Sequence, residues 1–225
     1  MKTKASAAAA LTLMAFAAGC TSGDETSESS SYTVKEAVSA LSVKSNGGLI
    51  ELVASDRTTV QVTEKFLYSG SKPETRHAVS GSTLSLETRG CSGDSSPCEV
   101  SYRIEVPRKL TVSLNSEGGD AEVKGLAGKL TVATEGGSAR AEQLASTTVR
   151  IASGGGDADA VFTSAPDSAD VSTDGGDLSV RLPAGSYAVD ADAEGGEEKV
   201  TVKTDPASSH KVIARSGGGS VSVAS

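Results

Sequence analysis

Seven glycine pairs punctuate the chain, at Gly47-Gly48, Gly118-Gly119, Gly136-Gly137, Gly155-Gly156, Gly175-Gly176, Gly195-Gly196 and Gly218-Gly219. The last six follow one another at 18, 19, 20, 20 and 23 residues. Set in register on the first glycine, the flanking residues alternate. Six residues before it stand Leu41, Val112, Leu130, Val149, Ala169, Val189 and Val212, and four before it stand Val43, Leu114, Val132, Ile151, Val171, Ala191 and Ala214. Three residues after it come Ile50, Ala121, Ala139, Ala158, Leu178, Glu198 and Val221, and five after it come Leu52, Val123, Ala141, Ala160, Val180, Val200 and Val223. Only Glu198 is polar, so 27 of 28 aligned positions are apolar in a chain that is 37% hydrophobic. The residues between them are polar, with Ile213 the one exception. Period-two alternation of this regularity predicts strands with one buried face, each unit being strand, diglycine corner, strand.

Two architectures satisfy the alternation. In a β-solenoid each unit is one coil stacked in register on the next, with the glycines at a corner where a backbone lacking Cβ can take positive φ. In a hairpin array each glycine pair is a two-residue turn between antiparallel strands. The repeat length of 18–23 residues matches one coil of a β-helix. A hydroxyl also recurs two residues before the glycines, at Ser45, Ser116, Thr134, Ser153, Thr173 and Ser216, with Ala193 the exception. These features favour an all-β, solenoid-like fold. Residues 53–109 interrupt the repeat. Thr58–Phe66, Thr83–Thr88 and Glu99–Val106 read as strands of a hairpin-rich segment suited to capping an open stack, while 110–225 carries the regular repeats.

The N-terminus changes the picture from fold to location. Lys2 and Lys4 precede an apolar run from Ala7 to Ala18 that leads into Gly19-Cys20. The run is too short for a bilayer span of about 20 residues and has the form of a lipoprotein signal peptide over 1–19, with Cys20 the lipidated residue. Ala17 stands where the lipobox usually has Leu, and ordinary secretion with cleavage nearby is the alternative. Residues 20–33 then read as the lipidated cysteine and a flexible polar tether, ahead of a β-repeat domain over 34–225. Without residues 1–19 the chain carries 19 Lys and Arg against 29 Asp and Glu, a net charge of −10. That balance disfavours nucleic acid as a partner and leaves the lipid as the membrane contact. After Cys20, the two remaining cysteines, Cys91 and Cys98, bracket a short loop; in an exported protein this predicts a disulfide, a metal site lacking further soft ligands nearby.

The units Leu130-Thr-Val-Ala-Thr-Glu-Gly-Gly, Ala169-Asp-Val-Ser-Thr-Asp-Gly-Gly-Asp-Leu-Ser-Val and Val212-Ile-Ala-Arg-Ser-Gly-Gly-Gly-Ser-Val-Ser-Val resemble those of a bacterial adhesin-domain family of unknown function, common in lipoproteins and membrane-linked proteins. The resemblance covers about residues 34–225 and implies the solenoid more firmly than any activity.

Chemistry is sparse in the sequence. His77 and His210 are the only histidines, and neither belongs to a nucleophile or metal motif. No catalytic residue, cofactor or metal site is predicted. The single feature that could carry chemistry is an acidic recurrence two residues after the first glycine, at Asp120, Asp157, Asp177 and Glu197. Ser138 and Ser220 share that position. Stacked carboxylates about 4.8 Å apart form either a solvated edge or a weak cation contact, and Gly154-Gly155-Gly156-Asp157-Ala158-Asp159 does not complete the GGxGxD calcium pattern. Three function classes follow. The first is a non-enzymatic, surface-displayed interaction or structural module facing an extracellular or envelope protein or polymer. The second is an envelope accessory or sensor protein with a membrane partner. The third is a carbohydrate-active β-helix enzyme.

Overall fold

The computed structural model describes residues 25–91 and 96–225, and its described residues are all-β. Twenty strands form two ten-stranded sheets. The N-terminal half supplies β1 (Glu25–Val34), β2 (Ala40–Ser45), β3 (Ile50–Ser55), β4 (Val60–Ser69), β5 (Glu74–Ser80), β6 (Thr83–Arg89) and β7 (Cys98–Pro107). The regular repeats supply strand pairs, each joined by a glycine corner: β8 (Thr111–Ser116) with β9 (Ala121–Lys124), β10 (Leu130–Thr134) with β11 (Ala139–Leu144), β12 (Thr148–Ser153) with β13 (Ala158–Phe162), and β14 (Ser168–Thr173) with β15 (Leu178–Arg181). The remainder are β16 (Ser186–Ala193) with β17 (Glu198–Val200), the short β18 (Lys203–Thr204), and β19 (Lys211–Ser216) with β20 (Val221–Ala224).

Pairing between units is parallel and in register. Val112, Leu130, Val149 and Ala169 stand side by side in one sheet, and Ala121, Ala139, Ala158 and Leu178 in the other. The molecule is therefore a solenoid, and the hairpin array is excluded because the strands flanking a glycine corner lie in opposite sheets. The inward residues of both sheets meet in a thin core of Val, Leu, Ile and Ala, with Ala121, Ala139, Ala141, Ala158 and Ala160 all buried. Small side chains suit this narrow gap, which explains the scarcity of aromatics. Leu126, Leu144, Phe162 and Leu182 close the core at the corner opposite the glycines.

The glycine corners differ from the sequence expectation. Among the diglycine residues only Gly48 has positive φ, at 78°. Glycine is needed elsewhere for close approach. A Cβ on Gly119 would lie 1.8 Å from the Gly48 carbonyl oxygen, and a Cβ on Gly137 would lie 2.4 Å from that of Gly119. The second glycine of each pair stacks backbone on backbone, and any side chain there would force the rungs apart.

The stack does not follow chain order at its ends. From one edge the sheets run β18-β16-β19-β14-β12-β10-β8-β2-β6-β5 and β17-β20-β15-β13-β11-β9-β3-β7-β4-β1. The β19–β20 rung is thus inserted between β14–β15 and β16–β17, making the penultimate unit the terminal rung. Two of the three anomalies of the repeat, Ala193 and Glu198, belong to that rung, whose outer side is met only by β18, at Ser186 and Tyr187, among the described residues.

Residues 53–109 are more than hairpins. β5 and β6 form an antiparallel hairpin and β4 pairs antiparallel with β7, but β6 and β7 also pair parallel with β2 and β3. They make a further rung, and the Cys91–Cys98 disulfide (Cα–Cα 6.0 Å) closes the corner that glycine pairs form elsewhere. Residues 25–33, read from sequence as part of a tether, form β1 with Val34 along the outer edge of β4. Their polarity masks this because the pairing uses backbone groups, and only Tyr32 and Val34 at one end of the strand pack on the core.

Candidate functional site

The acidic recurrence resolves into a ladder of side chain to backbone hydrogen bonds. Ser138 N–H donates to Asp120 Oδ1 (2.8 Å), Asp157 N–H to Ser138 Oγ (3.2 Å), Asp177 N–H to Asp157 Oδ1 (2.9 Å), Ser220 N–H to Asp177 Oδ1 (2.8 Å), and Glu197 N–H to Ser220 Oγ (3.3 Å). Each side chain accepts from the next rung at the same corner position. The two serines are members of the ladder rather than breaks in it, since the requirement is a short side chain with an acceptor oxygen and not a charge. Glu197 lies on the terminal rung and serves no further strand among the described residues, which removes the constraint on side-chain length.

The buried hydroxyls form a second ladder beside it. Thr134 Oγ1 donates to Gly137 O (2.6 Å), Ser153 Oγ is within 2.9 Å of both Gly137 O and Gly156 O, Thr173 Oγ1 donates to Gly156 O (2.7 Å), and Ser216 Oγ to Gly176 O (2.8 Å). Ser153, Thr173 and Ser216 also receive the N–H of Gly156, Gly176 and Gly219, and Ser116 Oγ receives that of Gly119. A corner without Cβ leaves its peptide groups bare, and these hydroxyls satisfy them.

Outward faces carry cross-rung ion pairs: Arg140 with Asp159 (3.1 Å), Arg150 with Asp170 (3.3 Å), Arg215 with Asp190 (2.6 Å) and Arg103 with Glu51 (2.6 Å). Hydrogen bonding to Asp159 raises the Arg140 pKa further. Exposed pairs of this kind contribute only about 0–1 kcal/mol each, so their weight is in register rather than stability. A shallow depression of about 210 Å³ beside the ladder is lined by Asp157, Asp159, Asp177, Ser179 and Ser222, among others. No cluster of three or more His, Cys, Asp or Glu able to hold a metal exists among the described residues. Asp157 and Asp177 already commit an oxygen to a backbone N–H.

One cluster escaped the sequence reading. Glu64 is only 5% exposed, between the sheets at the capped end. Its oxygens accept from Tyr32 (3.3 Å) and Thr75 (3.2 Å), and the Tyr32 ring stacks on His77 at 4.3 Å. Burial pushes the Glu64 carboxyl above its usual range against the pull of these hydroxyls and of His77 and Lys72. Burial likewise raises Tyr32, and it pushes nearby Tyr102 up to about 12. Strand parity was the available signal: Val60, Val62, Glu64, Phe66 and Tyr68 share the inward face of β4.

The structure brings Asp120, Asp157, Asp177 and Glu197 to one corner, and Cys91 and Cys98 into a bond. Cys20 and the signal segment lie outside the described residues. The histidines stay apart from the ladder in separate contacts, His77 on Tyr32 and His210 Nδ1 at 2.8 Å from Pro166 O.

The fold has solved relatives. A candidate cell adhesion protein from Clostridium sporogenes is 12% identical, with a TM-score of 0.53 over 88% of this chain and 99% of its own. A candidate adhesin from Bacteroides fragilis is 14% identical, with a TM-score of 0.47 over 90% of this chain and 98% of its own. A candidate lipid binding protein from Parabacteroides distasonis is 10% identical, with a TM-score of 0.30 over 89% and 97%. At these identities the first likeness speaks for the fold alone, and the other two carry no argument. No curated protein matches the sequence. The family model described as Toastrack DUF4097 matches residues 10–224, and with nearly the whole chain covered this protein belongs to the Toastrack DUF4097 family.

Proposed function

We propose that this chain is an exported, lipid-anchored cell-surface protein that acts as a non-enzymatic interaction module. The observation that carries the reading is the corner ladder. The acids that were the one candidate for chemistry have a structural task, holding successive rungs through Asp120, Asp157 and Asp177. What the stack offers a partner is a rigid, repeated, acidic surface, which suits weak contacts multiplied along its length. The lipoprotein-like N-terminus supports display at the membrane's outer face, and the naming of the Clostridium sporogenes fold relative as a candidate cell adhesion protein fits the same reading.

Two measurements test it. Alkyne-palmitate labelling should mark the wild-type protein and not Cys20→Ala, which should accumulate as precursor. Crosslinking on intact cells followed by capture should then recover a partner, either an extracellular protein or polymer or, for the accessory reading, a protein of the same membrane. Cleavage of cell-wall or extracellular polysaccharides by the purified protein, lost when Asp120, Asp157, Asp177 and Glu197 become amides, would refute the non-enzymatic assignment.

A further inference from the structure

The two ends of the solenoid are finished differently. At one end β1 and β5 run antiparallel to their neighbours and cover the stack. At the other, β16 meets β18 only at Ser186 and Tyr187, and from Ala188 to Ala193 it has β19 on one side and, among the described residues, no strand on the other. Ala188 N–H donates to His210 O (2.9 Å) and Glu194 N–H to Ser216 O (3.0 Å), both toward β19. In a parallel ladder alternate residues face alternate neighbours, so the peptide groups of Val189, Ala191 and Ala193 point outward from this edge. The core is open there as well. Val189, Ala191, Ala193 and Val200 are only partly buried, whereas Val212, Ala214, Val221 and Val223 one rung inward are fully enclosed.

Charge says what fits. Residues 186–200 carry five acids (Asp190, Asp192, Glu194, Glu197, Glu198) against Lys199 alone. The rung stacked on their inner side, residues 211–224, carries Lys211 and Arg215 and no acid, and Arg215 pairs with Asp190. The acidic rung thus already has a basic neighbour on one side and an open edge on the other. A second copy pairing edge to edge would set these acids against their own images, which is destabilising. Beside the edge runs a depression of about 350 Å³ lined by Ala188, Pro206 and Ile213, among others. Ile213, the one apolar residue between the two leading apolar positions of the repeat, lines this depression one strand in from the edge, beside Asp190.

We propose that the outer edge of β16–β17 is a docking site for an extended basic segment of a partner protein, alternating basic and small apolar residues, which joins the stack as one more rung. This rests on the interaction-module reading and locates its contact.

A fluorescein-labelled peptide with the sequence of residues 211–224 serves as the probe, titrated by anisotropy into the full chain. Saturable binding is expected, weakening with added salt and absent for the same peptide with Lys211 and Arg215 replaced by Glu. Ala191→Pro removes an outward N–H without touching the β19 ladder and should weaken binding at least tenfold. Asp192→Lys with Glu198→Lys should do the same, and it decides the matter if the proline variant fails to fold. No saturable binding, or binding unchanged in the variant that folds, overturns the proposal, the latter result pointing to exchange with internal β19–β20. A wild-type dimer in sedimentation that Ala191→Pro abolishes also overturns it, in favour of a second copy. If crosslinking on cells captures a partner through a different face, this site fails while the interaction-module reading stands.

Discussion

Adjacent glycines at one corner should respond to the same substitution with opposite sign. At Gly136 a Cβ would lie 3.5 Å from its nearest neighbour, Glu117 O, an ordinary contact; at Gly137 it would lie 2.4 Å from Gly119 O and 2.7 Å from Asp120 N. Neither residue has positive φ. Gly136→Ala therefore acts mainly by restricting the unfolded chain and should stabilise by about 0.4–1 kcal/mol. Gly137→Ala needs about 1 Å of relief between two backbones. The rungs are held at that spacing by Ala121 N–H to Ser138 O (2.9 Å) and Ser138 N–H to Asp120 Oδ1 (2.8 Å). Overpacking of about 1–3 kcal/mol, with one of these bonds lost at about 1 kcal/mol, gives a cost of roughly 2–4 kcal/mol. For a domain of this size each kcal/mol moves Tm by about 2–4 °C, so the two variants should melt on opposite sides of wild type and be separated by on the order of 5–20 °C. Urea titration followed by circular dichroism checks the free energies. Equal destabilisation by both substitutions would refute the close-approach explanation and return the corner to a turn-conformation requirement.

Val180, fully buried between Ala160 and Val223, should cost several kcal/mol as Val180→Asp. Ser179→Lys, facing outward beside Asp159, should stay within about 0.5 kcal/mol of wild type in the same urea titration. Asp157→Ala removes the acceptor for Asp177 N–H and should cost about 1 kcal/mol, whereas Asp157→Asn keeps an oxygen there and should retain most of that stability. Glu64 binds its proton more tightly folded than unfolded because burial raises its pKa, so its linkage opposes folding as pH rises above the unfolded value near 4.5. Glu64→Gln should therefore gain stability relative to wild type at pH 7 and lose that advantage as pH falls to 4, measured as the difference between their melting temperatures. The exposed Glu28, whose pKa is lowered by Lys72 and Tyr68, has the opposite dependence in both proteins and cancels in that difference.

The regular rungs were legible because each rests on local rules: alternation gives the face, and the glycine pair gives the corner. Long-range features were not. Nothing near β19 in sequence announces that it pairs with β14 and β16 rather than following β16 outward, since a parallel strand records its partners only through a pattern that every rung shares. The β6–β7 rung was obscured because a disulfide loop replaces its glycine pair. β1 was read as tether because its pairing with β4 relies mainly on main-chain groups. In the acidic ladder the positions were found but not their purpose. Ser138 and Ser220 looked like exceptions to a run of charges, whereas an acceptor oxygen on a short side chain is the property that Asp and Ser share.

The same reasoning gives the sequence anomalies a common cause. Ala193 lacks the hydroxyl that staples other corners, Glu198 stands at an inward position, and Ile213 faces outward. The first two lie on the terminal rung and the third on its neighbour, beside the same depression. A residue in the middle of the stack is constrained from two sides, by the rung that donates to it and the rung that receives from it. On the terminal rung one of those constraints is absent, so polar groups are tolerated on the inward face. Placing the 211–224 rung inside the stack has a further consequence for cohesion. In a solenoid stacked in chain order the last repeat can fray alone, since it contacts one neighbour only. Here β19–β20 contacts two, and detaching it requires β16–β17 to leave first or with it. The interleaved end couples two rungs that would otherwise open separately, and leaves the acidic edge of β16 as the exposed boundary.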